Sequence, residues 1–193
     1  MKAMVLGATG LTGHLVVQGL LAREEIESVT VLVRRPLELE HPRLIQHQVD
    51  FDSLDSHADL FAVDALICCL GTTIRTAGSQ ARFREVDYGY PLAAARLARE
   101  QGARALILMS AIGASSSSTI FYNRVKGELE DAVRELVIPT CRSIIPVCCS
   151  ATDRSTERVR SSVRWRCRLS TGCCLAHWTN IARSRPKPWR PLW

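Results

Sequence analysis

No stretch of the 193 residues stays apolar over the roughly 18 positions that a membrane helix needs; the longest runs, such as 65–70, fall far short. The N-terminus holds one Lys and a short apolar stretch that runs straight into a glycine-rich turn, unlike a secretory signal peptide. No internal repeat is present, and the only low-complexity run is the serines at 115–118, a polar loop. The five His are scattered without ligand spacing, so no metal site is expected. A composition of 47% hydrophobic and 23% charged residues, with mean hydropathy +0.03, excludes collagen-like, heptad-rich and disordered chains. A globular cytoplasmic protein without a membrane partner is the expectation, and the length suits one domain.

The basic charge is unevenly placed. Lys and Arg number 25 against 19 Asp and Glu, a net +6. Residues 1–140 carry 14 against 17, a net −3, whereas 141–193 carry 11 against 2, a net +9. The second part also holds six of the eight Cys, all four Trp, no Phe or Tyr, and one of the eleven Gly. Two different compositions are joined, with the boundary placed between a domain at 1–146 and a tail at 147–193.

Within the first part, Lys2–Leu6 is a short apolar run closed by Gly7, followed by apolar residues at helical spacing: Leu11, Leu15, Val16, Leu20 and Leu21. That pattern predicts strand, tight turn and helix. Further strands are expected at 29–33, 44–49, 65–70 and 105–109, with helices at 90–100 and 122–136. Strands alternating with helices imply right-handed crossovers, and so an α/β doubly wound parallel sheet covered on both faces.

The turn after the first strand reads Gly7-Ala8-Thr9-Gly10-Leu11-Thr12-Gly13. Gly7 suits the tight turn, Gly10 lets backbone approach a pyrophosphate, and Gly13 lets the helix pack close to the strand. The helix start offers free N–H groups to the anion. Some 20 residues on, such folds place an acid for a ribose 2′-hydroxyl or a base for a 2′-phosphate. The second strand ends here in Arg34-Arg35, which favours NADP(H) over NAD(H), a solvated Arg pair being the alternative. Tyr122 and Lys126, four apart, share a helix face, and Ser110 ends the strand before them. An ammonium beside a phenol favours phenolate, which equips Tyr122 for acid–base work on a carbonyl or alcohol whose oxygen Ser110 could hydrogen-bond. The alternative is a solvated Tyr and Lys on a helix surface. Cys68-Cys69 is read as a buried strand end; vicinal cysteines suit an unstrained disulfide poorly.

Together these residues resemble the short-chain dehydrogenase/reductase superfamily, in particular its atypical, TIP30-like NAD(P)-binding members. The likeness covers about residues 2–140. It rests on GATGLTG at 7–13, VDFD at 49–52, CCLGTT at 68–73, MSAIGAS at 109–115 and FYNRVKGELE at 121–130. It implies a Rossmann-like fold, Thr9, Leu11 and Thr12 with the glycines at the cofactor, and Asp50 and Phe51 near the adenine. Leu70, Gly71 and Thr72 would lie along the cofactor, with Ser110, Tyr122 and Lys126 at the nicotinamide. The superfamily includes reductases, redox-sensing regulators and assembly factors. The resemblance therefore implies an NADP(H)-binding protein, an oxidoreductase on a carbonyl or alcohol or else a non-catalytic sensor. Its partner would be a small-molecule substrate, and a homo-oligomer is compatible with it.

The resemblance also implies, after Ile144-Ile145, an Arg-Pro, an apolar strand, a Gly-Asp turn and a Tyr-Arg-Pro-Ile-Glu segment, none of which is present. Joining the third base of each codon to the first two of the next recovers much of this. Cys followed by Cys can then give only Leu, so Cys148-Cys149 and Cys173-Cys174 each conceal a leucine, and Trp178-Thr179 gives Asp. With permitted codons, 147–162 yields LLLGDRPEHRAGEEL and 178–186 yields DKYRPIEA. The tail therefore reads as a frameshifted, poorly ordered end. A zinc site from Cys167, Cys173, Cys174 and His177 is disfavoured by the lack of paired C-x-x-C spacing. A nucleic-acid arm is disfavoured because no helical stripe organises the basic residues.

Overall fold

The structure is a computed structural model that describes residues 1–147 and 164–167. In the first strand, β1 (Lys2–Leu6), Ala3 and Val5 turn to one face of the sheet while Met4 and Leu6 turn to the other, and all four are fully buried. Strand side chains alternate between faces, so an all-apolar strand fits only a sheet covered on both sides.

The chain continues through α1 (Leu11–Leu21), β2 (Ser28–Val33), β3 (Leu44–Gln48), a kinked 3₁₀ segment (Phe51–Phe61) and β4 (Ala65–Cys68). Then follow α2 (Ile74–Ala77), α3 (Gln80–Arg84), a π turn (Glu85–Gly89), α4 (Tyr90–Glu100), β5 (Ala105–Met109), α5 (Phe121–Arg134), β6 (Thr140–Val147) and β7 (Arg164–Cys167). The strand order is β3-β2-β1-β4-β5-β6-β7, parallel through β6, with β7 antiparallel to β6 at the edge. This is a doubly wound, Rossmann-like sheet. One face packs Val5, Val31 and Ile67 against Val17 and Leu21 of α1. The opposite face packs Leu6, Leu66 and Leu106 against Phe61, Ala94 and Ala98 of α4, and Leu129 of α5. The order reverses between β1 and β4, and the crevice beyond their carboxyl ends is where ligands bind in such sheets.

Several boundaries differ from the sequence expectation. The strand expected at 65–70 ends at Cys68, because Cys69 and Leu70 leave the ladder to form the crevice wall; Cys69 N–H bonds back to the Leu6 carbonyl at 2.9 Å. Cys69 is accordingly half-buried, not buried. The last helix begins at Phe121 and ends at Arg134. Hydrophobic periodicity does not predict the 3₁₀ segment, α2, α3, the π turn, β6 or β7. Residues 148–163 and 168–193 lie outside the described residues. With them lie most of the shifted-frame reading, and the zinc and nucleic-acid alternatives for Cys173, Cys174, His177 and the basic arm. Among the described residues no helix is long and apolar enough to cross a membrane, and no cluster of metal-ligating side chains occurs.

Candidate functional site

The crevice is built on the β1–α1 turn. Gly7 sits at φ +78°, a left-handed conformation that side chains disfavour. A Cβ on it would stand 2.5 Å from the Cys69 carbonyl oxygen, so the turn passes directly against the chain leaving β4. Gly13 is under tighter constraint still: its Cβ would lie 2.1 Å from the Gly7 oxygen, so only glycine lets α1 start this close to β1. Gly10 caps α1 in extended conformation with no side chain bonded to the helix's first N–H groups, and no acid lies in the first turn. Those donors and the positive end of the helix are thus available to an anion.

Two cavities flank this turn. One, of about 220 Å³, is lined by Gly7, Ala8, Thr9, Leu32, Val33, Arg34, Arg35, Phe51 and Leu70. Both Arg side chains are exposed at its rim. Asp50 does not line it. Its carboxylate accepts the Asp52 N–H at 3.0 Å and starts the 3₁₀ segment, leaving Phe51 as the wall. Phe51 is held from behind by Tyr90, whose ring centroid is 5.6 Å away and whose hydroxyl donates to Asp52. Burial, with that bond to Asp52, pushes the Tyr90 hydroxyl up to about 12.

The other cavity, of about 430 Å³, begins at Gly10, Leu11, Thr12 and Gly13 and extends past Cys69, Leu70, Gly71 and Thr72 to Met109, Tyr122 and Lys126. Leu70 borders both spaces. α5 presents Tyr122 one turn before Lys126, and the Tyr122 ring rests on Phe83 of α3, centroids 5.5 Å apart. Ser110 does not line the cavity. It follows Met109, is 5% exposed, and its hydroxyl has no hydrogen-bond partner among the described residues.

Lys126 is nearly buried, and its Nζ lies 2.7 Å from Oδ1 of Asp87, which is fully buried. The other oxygen, Oδ2, accepts the Thr72 N–H at 2.8 Å. Asp87 escaped the sequence reading, although a signal exists. Phe83, Asp87, Pro91, Ala94 and Ala98 mark one buried helical stripe, and an acid on such a stripe needs a partner.

The two cysteines are inert by environment. Burial pushes the Cys68 thiol up to about 11 and the Cys69 thiol up to about 12, and neither is in a disulfide. Neither offers the thiolate that redox or nucleophilic chemistry requires.

The family described as NAD(P)H-binding matches residues 7–136, which span the glycine turn, both cavities and α5. The chain belongs to this family. Protein HTATIP2 of Rattus norvegicus is 40% identical over 139 residues, covering 70% of this chain and 57% of the relative. Protein FMP52, mitochondrial, of Candida albicans is 31% identical over 141 residues, covering 70% and 62%. Its counterpart in Meyerozyma guilliermondii is 36% identical over 149 residues, covering 75% and 62%. The matches thus span less than two thirds of these relatives' own length. The UDP-glucose 4-epimerase of Thermotoga maritima has a similar fold, with TM-score 0.62 at 14% identity over 74% of this chain and 53% of that one. So does a short-chain dehydrogenase/reductase superfamily protein of Agrobacterium tumefaciens with bound NAD, with TM-score 0.60 at 15% identity over 75% and 48%. Membership of this family gives the cofactor class, a nicotinamide dinucleotide, and the likeness to the solved structures gives a shared Rossmann-like fold. The cytoplasmic expectation is corrected by the fungal relatives, which are named mitochondrial. Lack of a membrane span does not separate cytosol from organelle.

Proposed function

We propose that the protein binds NADP(H) across the two cavities and interconverts a carbonyl and an alcohol on a small substrate. The adenosine half fits the space walled by Phe51 and rimmed by Arg34 and Arg35, where two guanidinium groups suit a 2′-phosphate. The pyrophosphate fits the uncapped start of α1 at Gly10. When bound, the cofactor supplies or accepts the hydride. Tyr122 supplies or takes the proton at the substrate oxygen. Lys126 presents its ammonium to the nicotinamide ribose. The observation that carries this reading is the convergence in one cavity of the Gly10 turn, Tyr122 and the buried Lys126.

NADPH oxidation measured against small aldehydes and ketones tests it. Turnover that falls at least a hundredfold in Tyr122→Phe, on the scale of general acid–base catalysis, supports the oxidoreductase. The second reading is a cofactor sensor without turnover, favoured by the pairing of the Lys126 charge with Asp87, which leaves less of it for the phenol. NADPH binding with no turnover on any carbonyl would support that reading.

The residues after 146 belong, in this proposal, to a shifted reading frame. The family match ends at residue 136 and the composition changes at about 145, which supports it. The names of the fungal relatives support a mitochondrial location for this chain.

A further inference from the structure

We infer that Gln46 helps set the nucleotide preference of the site: its carboxamide splints the loop that presents Arg34 and Arg35 to the smaller cavity. This role rests on the cofactor reading above.

An amide is out of place where Gln46 stands. On β3 it pairs with Val31 of β2, and Leu44 pairs with Val29, so these side chains share the sheet face that packs against α1. Alternation along the strand would seat an apolar side chain there. Gln46 is instead half-buried and uses its whole carboxamide on the backbone of the loop between β2 and β3. Oε1 accepts the Leu37 N–H at 2.9 Å, while Nε2 donates to the Leu39 carbonyl at 3.0 Å and to the Leu37 carbonyl at 3.4 Å. Leu37 and Leu39 also pack on the core of the α1 face. Two residues further along β3, Gln48 Nε2 donates to the Arg34 carbonyl at 3.1 Å.

These anchors bracket the Arg pair. Arg34 is held at its carbonyl and Leu37 at both of its backbone groups, with only Arg35 and Pro36 between them, and the Pro36 ring fixes its own φ. Both guanidinium groups are exposed at the cavity rim, on long stems whose ordering opposes binding. With the backbone stationed, only side-chain torsions remain to be fixed when the two forks close on a phosphate. NAD(H) lacks that phosphate and gains nothing from the arrangement. Gln46 does not line the cavity, so it acts through Arg34 and Arg35 as a positioning residue.

The test is calorimetric titration of the full chain with NADPH and with NADH. The variants are Gln46→Leu, Arg34→Ala with Arg35→Ala, and the three changes combined, each with its melting curve. Leucine keeps an apolar stem on the strand and removes every polar atom. Gln46→Leu should weaken NADPH roughly fivefold, the scale of ordering one long side chain on binding, and leave NADH unchanged. In the background lacking both arginines it should weaken neither nucleotide further. If Gln46→Leu is too unstable to titrate, Gln48→Ala decides, since it removes one bond from an exposed position. NADPH roughly threefold weaker with NADH unchanged is then expected, and unchanged affinity for both overturns the role.

Unchanged NADPH affinity in Gln46→Leu overturns it. Equal weakening of NADPH and NADH does so too, because a merely structural residue would act on both, and so does a further loss of NADPH affinity once the arginines are gone. Those results leave the NADPH preference of the unaltered chain intact. Absence of that preference would overturn the 2′-phosphate reading, and this role with it.

Discussion

Gly127 faces the Ser115 backbone so closely that a Cβ on it would stand 2.1 Å from the Ser115 carbonyl carbon. The same contact is pinned by the Ser115 N–H, which bonds to the Asn123 carbonyl at 3.1 Å. The loop leaving β5 at Ser110 is thereby laid on the helix that carries Tyr122 and Lys126.

Gly127→Ala should therefore act on both stability and site. No side chain can yield, because the atoms met are backbone, so loop and helix must part. The expected cost is about 2 kcal/mol or more, a fall of roughly 4–8 °C in melting midpoint. Nucleotide affinity should fall as well. A melting curve unchanged from the parent would show that the loop is free to move aside.

Gly10→Val should separate folding from binding. Gly10 is extended, at φ −80° and ψ 160°, which valine accepts, and the nearest atom to an added Cβ is the Gly7 oxygen at 3.3 Å. The helix should form at slight cost while the branched side chain projects where the pyrophosphate must lie. Circular dichroism and nucleotide titration on the same sample check this, with a folded spectrum and no binding as the expected pair.

The sheet was legible because β1, β2, β4 and β5 are short apolar runs punctuated by glycine or charge, and parallel strands require that composition. β3 is half-buried at an edge, and its expected range overshot by one residue. The glycine turn was legible because its three glycines answer to three separate backbone demands. Asp87 was not, since its meaning depends on Lys126, 39 positions away in sequence and joined to it only by packing. The short elements between Cys69 and Tyr90 escaped for a related reason. They are held by single caps such as Thr73 to the Thr76 N–H and Ser79 to the Arg82 N–H, too local for periodicity to register.

Asp64 should govern part of the acid limb of stability. Its carboxylate accepts the Lys2 N–H at 2.8 Å and meets Arg104 at 2.9 Å, joining the starts of β1, β4 and β5. The Lys2 N–H, followed by Arg104, holds its carboxyl below the ordinary value near ~3.9. A depressed folded value means that the stabilisation is present above the unfolded value and lost as pH falls through the folded one. Asp64→Asn should thus melt lower than the parent at pH 7, with the gap narrowing between about pH 5 and 3. A gap that stays constant over that range would contradict the linkage.

Reading the gene across codons 140–150 and beyond should find an open overlapping frame that encodes an apolar strand and a Gly-Asp turn. A chain carrying that frame should melt above the present one, since it would bury apolar surface beside β6. Stop codons in the shifted frame, or a restored chain that melts no higher, would show that residues 147–193 are native.

Calorimetric titration of the unaltered chain with NADPH and NADH tests whether the crevice at the β1/β4 reversal holds a nicotinamide dinucleotide with its 2′-phosphate at Arg34 and Arg35. NADPH should bind with one site per chain and roughly tenfold tighter than NADH, as a charge-assisted contact of about 1.4 kcal/mol would give. Arg34→Ala with Arg35→Ala should bring the two affinities together. Equal affinities in the unaltered chain would contradict the role of the Arg pair, and absence of binding to both nucleotides would contradict the cofactor site itself.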